Sequence, residues 1–165
     1  MSVRALYYDS RGKLLIGTKL GISIYDEQTK KTTTIPIGAS DDKHLSNTVR
    51  GICPLIEDNF VVATEKGLYI FNIRLGNYTT VDSTSAYSGA LYHDATANLL
   101  YAGRLDRDLQ CFSVKGKNLE VLYNSLSGFN ILCFKKSQSQ SRASYLWIGT
   151  DNGLIQFDTE KRRMI

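Results

Sequence analysis

Apolar residues in this chain come in bursts of five or six, separated by short turns rich in Asp, Asn, Gly and Ser. No window keeps an apolar residue at every third or fourth position, the spacing of an amphipathic helix. The bursts instead have the length of strands and their Val, Ile, Tyr and Thr content. The pattern predicts an all-β chain with little helix.

The bursts also repeat. Leu146-Trp147-Ile148-Gly149-Thr150-Asp151-Asn152-Gly153-Leu154-Ile155-Gln156-Phe157-Asp158 has a copy in Leu14-Leu15-Ile16-Gly17-Thr18-Lys19-Leu20-Gly21-Ile22-Ser23-Ile24-Tyr25-Asp26. Phe60-Val61-Val62-Ala63-Thr64-Glu65-Lys66-Gly67-Leu68-Tyr69-Ile70-Phe71-Asn72 is another, and residues 99–104 with 108–113 form a weaker one. Gly17, Ala63, Gly103 and Gly149 fall 46, 40 and 46 residues apart, the period of propeller blades. Each copy reads as two strands around a tight hairpin, where Gly21, Gly67 and Gly153 supply a positive φ that a side chain resists. The small residues at Gly17, Ala63, Gly103 and Gly149 suit a close approach of neighbouring backbones. The hydroxyls of Thr18, Thr64 and Thr150 suit hydrogen bonds to the turn. These positions, with Trp147, are read as scaffold.

A strand before and a strand after each hairpin complete four-stranded units at residues 1–37, 48–82, 87–124 and 130–165. The fold class is therefore all-β, a β-propeller fragment of four consecutive four-stranded blades. Blades pack on apolar faces, so an open arc of four leaves one such face bare at each end. Closure as a four-bladed ring, further blades of a longer chain, or a second copy of this chain would each cover those faces. Self-association through the end blades is the expectation for the isolated chain.

Composition narrows the function classes. Apolar residues at 42% and charged residues at 22% fit a folded globular chain rather than a disordered one. The net charge of +4 is spread thinly, with no basic stripe of the kind nucleic acid requires, so no nucleic-acid partner is expected. No apolar run reaches the ~20 residues of a membrane helix, and no direct membrane contact is expected from this segment. Met1-Ser2-Val3-Arg4 leads straight into a strand without a signal peptide, implying a cytoplasmic chain or a piece of a longer exported one. Cys53, Cys111 and Cys133 each sit in an apolar run and read as small buried hydrophobes. His44 and His93 are far apart in sequence and no Cys-x-x-Cys occurs, so neither a metal nor a cofactor is expected. Nucleophile-elbow, phosphate-loop and dinucleotide motifs are absent.

The unit Leu146-Trp147-Ile148-Gly149-Thr150-x-x-Gly153-Leu154-x-x-Phe157-Asp158 resembles the two-component regulator propeller repeat. Leu45-Ser46-Asn47-Thr48-Val49-Arg50 is similar to the loop entering a blade in that family, and Asp9-Ser10-Arg11-Gly12-Lys13-Leu14 to its turn before the second strand. The resemblance implies part of the periplasmic sensor propeller of a hybrid two-component receptor, an extracytoplasmic location and a small oligosaccharide as ligand. No kinase or receiver lies in these residues, so no enzyme activity is expected of this segment. A propeller scaffold for protein partners is the alternative, followed by a polysaccharide-acting enzyme.

Blade three departs from the repeat. Arg104-Leu105-Asp106-Arg107-Asp108 replaces the Thr-x-x-Gly turn with a longer charged loop, and Tyr87, Tyr92 and His93 lie in or beside the same blade. Aromatic faces with Arg and Asp groups suit a sugar or an acidic glycan fragment. Arg104, Asp106, Arg107, Tyr87, Tyr92 and His93 are the candidate ligand-binding residues. The bland account is a drifted repeat whose charges pair in solvent. Residues 38–47 and 135–144 read as long polar loops.

Overall fold

The structure, a computed structural model, describes residues 2–38, 48–137 and 145–165. His44 and the Leu45-Ser46-Asn47 motif lie outside the described residues, as do positions 39–47 of the first expected loop and 138–144 of the second.

All regular structure among the described residues is β. Blade 1 holds β1 (Val3–Tyr8), β2 (Lys13–Thr18), β3 (Gly21–Asp26) and β4 (Lys31–Ile35). Blade 2 holds β5 (Val49–Pro54), β6 (Asn59–Thr64), β7 (Gly67–Asn72) and β8 (Asn77–Asp82). Blade 3 holds β9 (Tyr87–Asp94), β10 (Leu99–Arg104), β11 (Asp108–Lys115) and β12 (Asn118–Ser125). Blade 4 holds β13 (Ile131–Lys136), β14 (Tyr145–Thr150), β15 (Gly153–Asp158) and the short β16 (Arg163–Met164). Each blade is an antiparallel sheet with its strands in chain order. Lys135 and Lys136, expected in a loop, belong to β13, where Lys136 pairs with Asp94 at 2.6 Å.

Short turns fix this meander. Thr18, Thr64 and Thr150 each donate their hydroxyl to the carbonyl of Gly21, Gly67 and Gly153, at 3.2, 2.9 and 2.8 Å. Each also accepts a backbone N–H from inside the turn at 3.1 Å. At the next hairpin Asp26, Asn72 and Asp158 each accept two backbone N–H groups through Oδ1. These are local side-chain bonds that let a polar residue close a turn.

First strands of successive blades lie next to one another, so β1, β5, β9 and β13 line the inner side of the arc. The outer strands face solvent, and β4 is exposed at four of its five positions. Three apolar seams lie between blades. Leu15, Ile22, Phe60 and Phe71 fill the first, Val61, Leu68, Leu100 and Phe112 the second, and Leu109, Leu146, Ile148 and Phe157 the third. Burial of such side chains stabilises by about 1.5–3 kcal/mol each before conformational entropy is counted.

Two expectations are corrected at these seams. The small residues of the second strands do not meet neighbouring backbone. A Cβ on Gly17 would lie 2.7 Å from Val49 Cγ1, and one on Gly103 2.7 Å from Ile131 Cβ, so they make room for a side chain of the next blade. The backbones that do meet belong to β5 and β9, where a Cβ on Gly51 would lie 2.3 Å from the Gly89 carbonyl oxygen. Cys53 and Cys111 are buried, but Cys133 is exposed, because its face of blade 4 has no blade packed against it.

Candidate ligand-binding mouth of the third blade

The turn between second and third strands falls at the same end of every blade, because each blade repeats the same meander. The loop entering each blade lies there too. Glu65, Leu105 and Asp151 each give their backbone N–H to that loop, at Thr48 (3.1 Å), Ala86 (2.9 Å) and Asn130 (3.2 Å). Charged side chains gather at this end. Arg50 pairs with Glu65 at 2.7 Å, Arg104 with Asp106, and Arg107 with Asp151 at 3.0 Å across the seam between blades 3 and 4.

Blade 3 closes its turn differently. Arg104 stands where the other blades have threonine, and Leu105-Asp106-Arg107 is one residue longer than the other turns. Arg107 takes φ 67°, supplying the left-handed residue in place of glycine. The Arg107 carbonyl accepts the Gly128 N–H at 2.7 Å, tying the turn to the entry loop of blade 4.

Behind the turn lies a buried polar group. The Tyr87 hydroxyl donates to Asp82 Oδ2 at 2.9 Å and sits 2.7 Å from the Gln110 side-chain amide. Burial alone would raise the Asp82 pKa, but bonds from the Thr84 backbone and hydroxyl, Ser85 and Tyr87 outweigh it and hold the carboxyl at about 2. Burial, reinforced by the Asp82 charge, pushes the Tyr87 phenol up. Asp108 moves the other way from Asp82: burial raises it against the partial compensation of Arg104. Arg104 Nε and Asp108 Oδ1 are buried with no hydrogen-bond partner among the described residues.

The structure thus brings together four of the six candidate residues, Tyr87, Arg104, Asp106 and Arg107. It separates Tyr92 and His93, which lie five and six residues further along β9, about 17 and about 20 Å from Tyr87 at ~3.4 Å per residue. Tyr92 stacks on Tyr101 with ring centroids 6.4 Å apart, a packing role in the seam with blade 4. His93 lines a cleft of about 190 Å³ with Leu55, Ile56 and Val114 at the far end of the blade. Gln110 and Asp82 escaped the sequence reading, and Asp108, read there as part of the charged loop, was not among its candidates. The signal for Gln110 was a polar residue inside the apolar run Leu109-Gln110-Cys111-Phe112, and it is 6% exposed.

Larger clefts lie elsewhere. Grooves of about 380 and 350 Å³ run between the outer strands of blades 2 and 3 and of blades 1 and 2, and arise because blades splay outward. Among the described residues no group of three or more His, Cys, Asp or Glu is placed to hold a metal ion. Among the same residues no helix is long and apolar enough to cross a membrane.

The sheet order, the seams and the common end of the turns define a segment of a β-propeller. Neither a protein-family model nor a curated protein matches the chain. Solved structures do. The extracellular domain assigned to the hybrid two-component system BT3049 from B. thetaiotaomicron matches over 99% of this chain, with a TM-score of 0.73 and 19% identity. Two structures of the extracellular domain of BT4673 from the same organism match over 100% and 98%, with TM-scores of 0.77 and 0.72 and identities of 18% and 16%. One of these is described as a one-component system, the other as a hybrid two-component system. The chain covers 23%, 22% and 21% of those three chains, less than a quarter of their length. The propeller fold is shared with these extracellular domains.

Proposed function

We propose that this chain is part of an extracytoplasmic ligand-sensing propeller of a two-component receptor, and that the mouth of blade 3 contacts an oligosaccharide. The observation that carries the site is the pair of buried, unpartnered groups there, Arg104 Nε and Asp108 Oδ1, beside the Tyr87–Asp82–Gln110 group. Unpaired buried polar atoms cost about 1–3 kcal/mol each, a cost that a ligand hydroxyl offsets once a shift of the Arg104 side chain opens them to it. A guanidinium N–H donates to a sugar oxygen, and a carboxylate oxygen accepts a sugar hydroxyl. The fold shared with extracellular receptor domains supports the sensing role and the location outside the cytoplasm.

Signalling in this reading is a shift of population. A ligand that prefers one arrangement of the propeller against the rest of the receptor moves the receptor toward that arrangement by its difference in affinity. The segment binds and performs no chemical step. Replacing Arg104 and Arg107 together by alanine in the intact receptor is expected to abolish the response to inducer, while the circular dichroism of the propeller stays unchanged. An unaltered response in that double variant would refute the assignment. An alkaline-phosphatase fusion at the blade 4 end is expected to be active only when exported.

A further inference from the structure

At the end opposite the mouth, the three seams are closed by different chemistry. Tyr8, Pro54 and His93 stand opposite Leu14, Phe60 and Leu100, each three residues before the small residue of the second strand. The residues that follow them, Asp9, Leu55 and Asp94, are therefore equivalent, and all three are buried. Asp9 pairs with Arg11 at 2.7 Å, and Arg11 reaches on to Asp58 of blade 2. Asp94 pairs with Lys136 of blade 4. These ion pairs clasp the first and third seams. Blade 2 has leucine at this position, and among the described residues no ion pair crosses the second seam.

Where the clasp is missing, the cleft of about 190 Å³ opens between blades 2 and 3. Leu55, Ile56 and Val114 give it apolar walls, and Ala95 and Gly116 line it from two turns of blade 3. Nothing lies within 4 Å of a Cβ added at Gly116, so the turn beside the cleft is open. His93 completes the lining. Neither of its ring nitrogens has a hydrogen-bond partner among the described residues, and Nε2 is buried. Blades 2 and 3 each have a blade packed on both sides, so these walls owe nothing to the ends of the arc.

We propose that this cleft is a second ligand site, for a molecule built of one apolar ring and one hydroxyl. The ring lies among Leu55, Ile56 and Val114, and the hydroxyl donates to a nitrogen of neutral His93. An apolar cavity of about 150 Å³ holds a benzene ring, so about 190 Å³ holds the ring with one substituent. A pyranose would turn most of its hydroxyls against aliphatic walls without partners, which separates this site from the mouth. Solvent does not reach Nε2, so engaging that nitrogen takes a turn of the imidazole about its Cβ–Cγ bond, a soft torsion.

Amide NMR titration of the 165-residue chain with phenol and with toluene tests this. Phenol is expected to shift the Leu55, Ala95, Val114 and Gly116 resonances saturably. Toluene, although more apolar, is expected to bind about tenfold less tightly, because it has no hydroxyl for His93. His93→Leu keeps the apolar walls and is expected to reverse that order. Ile56→Asp, at a 44% exposed position, is expected to weaken both compounds by about tenfold or more while the rest of the spectrum is unchanged. Shifts that do not saturate, shifts centred on other residues, equal affinity for the two compounds, or a phenol preference that survives His93→Leu would each overturn the proposal.

Discussion

Blades 2 and 3 sit side by side with the same strand order, yet they end their central hairpins by different chemistry. In blade 2 a buried threonine and a glycine close a two-residue turn, and the threonine hydroxyl makes both of its hydrogen bonds inside that turn. In blade 3 an arginine, a three-residue loop and a positive-φ arginine do the same job, with Arg104 paired to Asp106 within the loop and Arg107 reaching across the seam to Asp151. The next hairpin repeats the contrast: Asn72 caps the blade 2 turn, whereas β11 and β12 run to eight residues each. The sheet behind is unaffected, and Leu100 and Phe112 of blade 3 are buried as fully as Phe71 of blade 2. A blade therefore needs its apolar seam more than its turn motif. That leaves the turn free to carry polar groups that have no structural duty.

The largest expected effect is on the blade 2 side. Gly67 has φ 148°, and a Cβ there would lie 2.3 Å from the Asp82 carbonyl oxygen. Gly67→Ala should lose about 3 kcal/mol in urea unfolding. Its counterpart Gly153→Ala, at φ 108° with nothing within 4 Å, should lose only about 1 kcal/mol. Equal losses would show that strain alone, and not the neighbouring strand, sets the cost.

Next comes Thr64→Val, which removes a buried hydroxyl making two turn hydrogen bonds and should cost about 2 kcal/mol by the same measurement. The acid behaviour of blade 3 ranks third. The Asp82 carboxyl is held at about 2, below its ordinary 3.8, so its contribution is complete above about pH 4 and fades as pH falls toward 2. Solvent screening limits that contribution to about 1 kcal/mol. Asp82→Asn should remove this part of the stability–pH slope. Asp108, raised by burial, has the opposite sign, so Asp108→Asn should hold or raise stability at neutral pH. The smallest effect is Arg107→Gly. Relief of its positive φ is set against an exposed ion pair, and the change should stay within about 0.5 kcal/mol. A larger loss would mean that the Arg107–Asp151 pair holds blades 3 and 4 together.

The fold was legible because its evidence is periodic. Four copies of one apolar unit, with glycines at 21, 67 and 153, specify strands, hairpins and seams at once. The candidate site was legible only in part. Arg104, Asp106 and Arg107 break the repeat and so announce themselves. Tyr92 and His93 were grouped with them because adjacency in sequence says nothing about which end of an eight-residue strand a side chain occupies. Asp82 and Gln110 meet Tyr87 from two different strands, and no local pattern encodes that convergence. The exposure of Cys133 depends on a surface that blade 4 does not itself provide, so its apolar neighbours in sequence misled.

The first strands of all four blades break step with their neighbours. Each interrupts its register opposite the small residue of the second strand, at Arg4, Arg50 and Leu132 in blades 1, 2 and 4 and around Gly89 in blade 3. The additional residue has no cross-strand partner and turns out of the seam, and Arg4 and Leu132 are exposed. Blades 1 and 4 therefore each offer one position on the inner wall, Arg4 and Leu132, whose identity the packing does not dictate, whereas Arg50 is held by Glu65 and Gly89 by the backbone of β5. Selection is free to rewrite the wall at those two letters, changing what the lumen prefers while the architecture stands still.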